Sequence, residues 1–355
     1  MQIGIDSFAA AGLNPDTGQA LGADLRLAQL LEEIEQADRS GIDVFGIGEH
    51  HRQEYLDSAP TLILAAAAAR TTRIRLTSAV TVLSADDPVR VFQQFATLDL
   101  LSQGRAEMVV GRGSSVEAYP LFGYDLADYD ALFAEKLDLL LLLREQPHVH
   151  WSGRHRSPLS GQGVYPRPLQ VRLPIWLGVG GTPASFVRAG RLGLPLMVAI
   201  IGGDFRRFRP LVDLYRQAGE QAGHRPDQLQ VGIHAFGFVG ETSEQAISAY
   251  YPGYVQMMAT VGRERGWSPP SRAQFEAMCG PAGPYLIGDA ETVAEKVLYV
   301  NEVLGGVSRL TFQMTNLLMP HPDMLRAIDL LGTRVAPLVR ARMGGHPASA
   351  VSVLG

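Results

Sequence analysis

Short runs of β-forming residues alternate with helical patterns along the whole 355-residue chain, and this alternation limits the fold more than any single motif does. Strands are predicted at Ile3–Phe8, Asp43–Ile47, Arg75–Leu83, Ala106–Val110, Pro174–Leu177, Leu196–Ile200, Gln230–Val239 and Arg309–Met314. After the first strand, Leu27, Leu30, Leu31 and Ile34 fall at i, i+3, i+4 and i+7, one face of a helix. Asp24 is placed to begin that helix and Gly41 to end it. A second helix is expected around Thr61–Arg70. Asp86-Asp87-Pro88 reads as an acidic helix start with proline in the first turn, and that helix runs to Leu101 and stops at Gly104. Further helices are expected over Asp128–Arg144 and, at the close, Pro322–Arg342.

Helical crossovers between successive strands imply parallel pairing. A doubly wound sheet usually stops at five or six strands and opens with a glycine-rich turn, whereas the first strand here runs into Phe8-Ala-Ala-Ala-Gly12. The expected fold is therefore α/β, a (β/α)8 TIM barrel formed as one domain over residues 1–343. Insertions are expected between strands four and five (His148–Leu173) and before strand eight, and residues 344–355 form a small, polar tail expected to fray. Chemistry in such a barrel belongs on the loops after the strand C-termini.

Composition narrows the partners. With 31 Lys+Arg against 36 Asp+Glu the formal charge is −5, which argues against a nucleic-acid footprint. A lone cysteine, Cys279, excludes an internal disulfide and a cysteine metal cage, and fits a reducing compartment. The first residues show no signal-like pattern. The most apolar runs, Thr61–Ala69 and Leu137–Leu143, fall well short of the ~20 residues that span a bilayer. A cytoplasmic protein with neither nucleic acid nor membrane as partner is expected.

Four strand ends carry candidate chemistry. The second ends Gly46-Ile-Gly-Glu49-His50-His51-Arg52, where ionisable side chains directly after a buried strand must pair with each other or with a ligand. A histidine there can serve as general base, with the adjacent carboxylate fixing its tautomer. A Glu–His pair bracing the rim is the plainer reading. A metal site drawing also on His148, His150 or His321 is a third, but no H-x-H or second acidic cluster sits at another strand end. The fourth strand ends Gly111-Arg112-Gly113-Ser114-Ser115, where flanking glycines let a flat or anionic ligand approach and the guanidinium can grip phosphate. The fifth ends Gly178-Val-Gly180-Gly181-Thr182-Pro-Ala-Ser185 and enters a helix, either a phosphate site or an ordinary turn capped by Thr182. After the sixth come Arg206, Arg207 and Arg209, a dense positive cluster suited to an acidic ligand or simply a solvated face. Cys279 has no evident histidine partner, and no G-x-S-x-G elbow occurs.

These residues, taken in order, resemble the bacterial luciferase-like flavin-dependent oxidoreductases over almost the whole chain. The stretches that carry the likeness are Gly48-Glu-His-His51, Ser78-Ala-Val-Thr-Val-Leu83, Asp87-Pro-Val-Arg90 with Leu98–Arg105, and Val110-Gly-Arg-Gly113. Phe122-Gly123 with Asp128-Tyr-Asp130 and Phe133–Lys136, and the closing Pro320-His-Pro322 with Val335-Ala-Pro337, complete them. The resemblance implies a (β/α)8 barrel with reduced FMN, or in some branches a deazaflavin, at its C-terminal mouth. It implies that His50 lies near flavin and substrate with Glu49 and His51 beside it. Ser78 and Ala79 would back the isoalloxazine ring, often through a non-prolyl cis peptide. Arg112, with Gly111 and Gly113, would meet the flavin phosphate, and Gly180, Gly181, Thr182 and Ser185 are looser matches for the same end. The His148–Leu173 insertion departs from luciferase itself and resembles the hairpin of a broader oxidoreductase branch.

The leading expectation is an FMN-dependent monooxygenase acting on a small organic substrate with O2, His50 moving the proton. Reduced FMN would come from a separate flavin reductase, because no nicotinamide fingerprint is apparent. Relatives pair through barrel helices, which implies a homodimer. The rival readings are a deazaflavin-dependent hydride-transfer reductase whose cofactor tail meets the Arg206 cluster, a non-catalytic flavin-binding protein, and a metal-dependent barrel hydrolase.

Overall fold

The computed structural model describes residues 1–14, 17–113, 116–266 and 268–344. The expected tail beyond residue 344 and Ser114-Ser115 of the fourth strand-end motif lie outside them. The first half comprises β1 (Gln2–Ser7), α1 (Ala23–Arg39), β2 (Val44–Ile47), α2 (Pro60–Ala68), β3 (Arg75–Ser78) and β4 (Thr81–Val82). It continues with α3 (Pro88–Leu101), β5 (Met108–Gly111), α4 (Ala118–Leu121), α5 (Tyr129–Glu145), β6 (His148–Trp151) and β7 (Leu159–Gly163). The second half begins with β8 (Ile175–Val179), α6 (Pro183–Leu192), β9 (Leu196–Ala199), α7 (Arg209–Gln221), β10 (Val231–Val239) and α8 (Ser243–Arg265). α9 (Arg272–Cys279), β11 (Leu286–Gly288), α10 (Ala290–Val303), β12 (Arg309–Gln313), α11 (His321–Leu330) and α12 (Ala336–Arg342) complete it.

The strands neighbour one another in the order β3-β2-β1-β12-β10-β9-β8-β5-β4, all parallel. Leu76 of β3 closes the ring by bonding to the backbone of Arg105 and Glu107 at the entry to β5. Because β3 and β4 share one position, this is the expected eight-fold barrel. The expected insertions are both present: the antiparallel hairpin β6–β7 before β8, and α8, α9, β11 and α10 before β12.

Three local expectations differ from the structure. The run Arg75–Leu83 is not one strand, because the chain changes partner within it. Ser78 still pairs with Ile47 of β2, while Thr81 pairs with Val110 of β5, and Ala79 and Val80 between them are joined by a cis peptide. The closing helix is likewise interrupted, by a wider π-helical turn at Leu331–Val335. Gly332 in that turn presses on Ser40 at the end of α1, where no side chain would fit. Helix α1 also starts at Ala23 behind Gly22, so that Asp24 lies inside its first turn. Asp87 caps α3 as expected, accepting the N–H groups of Val89 and Arg90 ahead of Pro88.

Alternation along the strands sends every second side chain into the lumen. At its N-terminal end Arg309 and Glu107, both buried, form an ion pair, with Arg75 on Glu107 and Gln2 on Arg309. The Arg309 guanidinium also lies 4.3 Å from the Trp176 ring centroid. Above this plug Val109, Trp176 and Met197 pack together with Val80 against them. Gly232 and Gly178 leave the room that Met197 and Val80 fill, since a methyl on either would lie 2.7 to 2.8 Å from those side chains. One layer higher the lumen opens: Ala199, two residues beyond Met197, is exposed. The lumen is filled below and open above.

Candidate active site

The rim after β2 is built on a tight passage. A side chain on Gly48 would collide with Phe8 and Asp57, so the chain can bring both against His50 there. Asp57 is fully buried, and it accepts the backbone N–H of His50 at 3.1 Å through Oδ1 and holds ring Nδ1 at 2.9 Å through Oδ2. Burial pushes the Asp57 carboxyl up, and the bonds from His50 counter this only in part. An ionised carboxylate in this position keeps the proton on Nδ1 and leaves Nε2 as the working atom. Nε2 has no hydrogen-bond partner among the described residues.

The adjacent carboxylate does something else. Glu49 holds His51 Nε2 at 3.2 Å and accepts the backbone N–H of Val82 at 2.9 Å, tying the rim to β4. Its hydrogen bond raises the His51 pKa above the ordinary 6.5. The expectation that Glu49 would fix the tautomer of His50 is thus corrected: Asp57, seven residues on, does so.

A second imidazole faces the lumen. His234 sits in β10, every residue of which is buried, and its Nδ1 lies 2.6 Å from Oδ2 of Asp6 on β1. Thr311 of β12 donates its hydroxyl to the same oxygen. Tyr55, His50, Phe8 and His234 form a row of rings with neighbouring centroids 4.5, 4.7 and 5.8 Å apart. Sequence reading missed Asp57, Asp6, His234 and Phe8. A signal for two of them was present, because Asp6 follows the apolar run Ile3–Ile5 and His234 interrupts an otherwise apolar strand.

On the opposite wall the chain ends that the sequence singled out do converge. Arg112, after β5, pairs with Asp130 and reaches the Ser185 hydroxyl at 3.4 Å. Tyr129 lies beneath its guanidinium, and Tyr119 and Tyr129 donate their hydroxyls to the carbonyls of Arg112 and Gly113. Ser185 is in the first turn of α6. Thr182 holds the N-cap position, but its side chain makes no capping bond. Gly180 and Gly181 border open space. Val80 stands beside Gly111 and Gly178, where added side chains would press on it. Ser78 does not face the mouth; it is buried and spends its hydroxyl on the backbone of Val109. Ala79 is half-buried at the mouth, and the cis peptide that the resemblance implies joins it to Val80.

Two of the clustered arginines are neutralised locally, Arg206 by Asp204 and Arg209 by Asp213. His148 and His150 lie on the hairpin, and His321 pairs with Glu32 near α1. Among the described residues no three His, Cys, Asp or Glu side chains are grouped to hold a metal. Cys279 is buried, its thiol pushed up to about 12 by burial. Among the same residues no helix is long and apolar enough to cross a membrane.

A parallel barrel with this mouth defines a class, and comparison with known proteins agrees. Residues 1–306 match the family model of the luciferase-like monooxygenases, and the chain belongs to that family. It is 27% identical over 360 residues to 4-hydroxyprotoasukamycin monooxygenase of Streptomyces nodosus subsp. asukaensis, covering 95% of this chain and 92% of that one. The fold matches the oxygenating constituent of 3,6-diketocamphane monooxygenase from Pseudomonas putida, solved in complex with FMN. The TM-score is 0.77 at 19% identity, over 96% of this chain and 98% of that one. It also matches an F420-dependent secondary alcohol dehydrogenase, with TM-score 0.74 at 18% identity, over 96% and 99% of the two chains.

Proposed function

We propose that the protein is a flavin-dependent monooxygenase that takes reduced FMN from a separate reductase and uses O2 on a small organic substrate. The observation that carries this reading is the meeting of Arg112 with Ser185 at the start of α6, beside the open Gly180-Gly181 turn and the Val80 shelf. A guanidinium, a hydroxyl and a helix N-terminus are a donor set suited to a phosphate monoester. Val80 and the side-chain-free positions around it offer a flat apolar seat for a ring system. Asp130, exposed and paired with Arg112, is the group a phosphate would displace.

Bound there, reduced FMN would supply the electrons that activate oxygen. The protein's part is positional and acid–base. Asp57 holds His50 so that Nε2 gives or takes a proton at the mouth. Phe8 and Tyr55 pack on its ring and limit water around it. The deciding experiment is the absorption spectrum and mass of the cofactor that co-purifies, followed by reconstitution with reduced FMN. A chain that binds neither FMN nor its reduced form would overturn the reading. The deazaflavin reading has one observation in its favour: Arg207, after β9, has no carboxylate partner among the described residues and is available to an acidic tail. Difference spectra with each cofactor separate the two.

A homodimer is part of the same proposal. The outer faces of α2 and α3 and the segment around Tyr165 border a groove of about 320 Å³, whose apolar lining, Leu62, Ala65, Leu98, Leu101, Tyr165 and Pro166, is interspersed with Arg90 and polar side chains of α2 and α3. Leu62, Leu101 and Tyr165 are exposed, an apolar patch of the kind that marks an interface. A second copy of the chain supplies the matching face. Leu62→Asp with Leu101→Asp is expected to sediment as a monomer, and a wild-type monomer at micromolar concentration would refute the pairing.

A further inference from the structure

The ring order of the strands sets two walls of the mouth against each other. β4, β5 and β8, with Val80, Arg112 and the α6 turn, lie across the lumen from β10, β12 and β1. The second wall carries Asp6, His234, Thr311 and Gln313. Alternation along β12 places Arg309, Thr311 and Gln313 on the lumen side, with Gln313 one pleat above Thr311. Gln313 is fully buried; its carbonyl oxygen accepts the backbone N–H of Thr315, and its amide nitrogen, also buried, has no partner among the described residues. Native structures leave few such donors unmade, so each one calls for an explanation. His234 presents Nε2 to the same space, its other nitrogen committed to Asp6. Ala199, its register partner on β9, is exposed, so the space above is open.

We propose that this wall is the substrate subsite and that it takes an uncharged oxygen function, a carbonyl or hydroxyl, with the Gln313 amide donating and His234 Nε2 as the second partner. Asp6 and Thr311 are positioning residues that hold the imidazole. The chemistry selects against ions. An anion would face buried Asp6, with the one cation of β12, Arg309, already spent on Glu107 at the other end. A cation would meet the donor face of an amide. The assignment rests on reading the opposite wall as the cofactor's.

The test is a titration of the full chain, labelled at histidine Cε1 and glutamine side-chain nitrogen, with and without oxidised FMN. The probes are cyclohexanone, cyclohexanol, methylcyclohexane and cyclohexanecarboxylate. The two signals are assigned by their loss in His234→Gln and in Gln313→Glu. Cyclohexanone or cyclohexanol is expected to move both signals, and the hydrocarbon and the carboxylate neither. Gln313→Glu keeps an acceptor for Thr315 and removes the free donor; it is expected to weaken ketone binding about tenfold. Neutral probes that leave both signals unmoved, or an unchanged ketone affinity in Gln313→Glu, would overturn the proposal. So would FMN displacing the ketone while moving the Gln313 signal, which gives this wall to the cofactor. Ketone binding that persists where FMN does not bind leaves the subsite standing and removes the flavin reading instead.

Discussion

The two ends of the barrel lumen each carry a set of buried ionisable groups, and the sets are finished differently. At the N-terminal end Glu107 has both oxygens engaged, by Arg309 and Arg75, and Arg309 gives two further N–H groups to Gln2 while stacking on Trp176. Burial would push the Glu107 carboxyl up, but the two guanidinium groups outweigh it and hold it below its usual range. At the C-terminal end, among the described residues, the pairs His50–Asp57 and His234–Asp6 each leave one imidazole nitrogen unpaired, and Gln313 has a free donor. A saturated network fixes structure. An unsaturated one, at the end where the lumen opens, is prepared for a ligand.

The comparison breaks most readily at the plug. Arg309→Met leaves Glu107 buried beside a single arginine and is expected to cost about 3–5 kcal/mol in denaturant unfolding. FMN affinity of the folded fraction should not change. Adding Glu107→Leu is expected to restore most of the loss. A cost below about 1 kcal/mol would mean that the plug is not the structural end of the barrel.

At the open end the expected loss is in chemistry. His50→Ala is expected to reduce oxygenated product about 10²–10⁴-fold with the FMN dissociation constant within about twofold, measured by flavin titration and product assay. Asp57→Asn should act in the same direction and less. Undiminished oxygenation by His50→Ala would remove the residue from the mechanism. Arg112→Ala has a smaller effect, an approximately tenfold weaker grip on FMN. Asp130→Ala, by freeing the guanidinium, should equal or exceed wild-type affinity. If both variants titrate like wild type, the phosphate lies elsewhere.

The barrel was legible because alternation is a property of the whole chain and survives local errors. The strand-end glycines and Arg112 were legible because a barrel dictates where chemistry sits. The partners of the histidines were not. Asp57 lies on an aperiodic loop, and nothing in the spacing links it to His50 in preference to neighbouring Glu49. Asp6 and His234 are 228 positions apart and meet only because β1 and β10 flank β12. The change of strand partner at Ala79–Val80 could not be read from periodicity, because Arg75–Leu83 has continuous β character and carries no glycine or proline; only the family resemblance pointed to a cis peptide there.

The smallest effect tests whether Glu49 belongs to the structural set or the chemical one. It joins His51 to the Val82 backbone and leaves His50 alone, so its contribution should appear in stability. Glu49 raises the His51 pKa above 6.5, so the folded state binds this proton more tightly than the unfolded chain does. The stabilisation is therefore complete below pH 6.5 and fades as pH rises through the folded value. Melting temperatures taken on both sides of that value should fall more steeply with pH for wild type than for His51→Gln, while FMN affinity of the two stays equal. Parallel melting curves would mean that the pair adds nothing to the fold. A pH-dependent split in FMN affinity would instead move Glu49 and His51 into the ligand-facing group with His50.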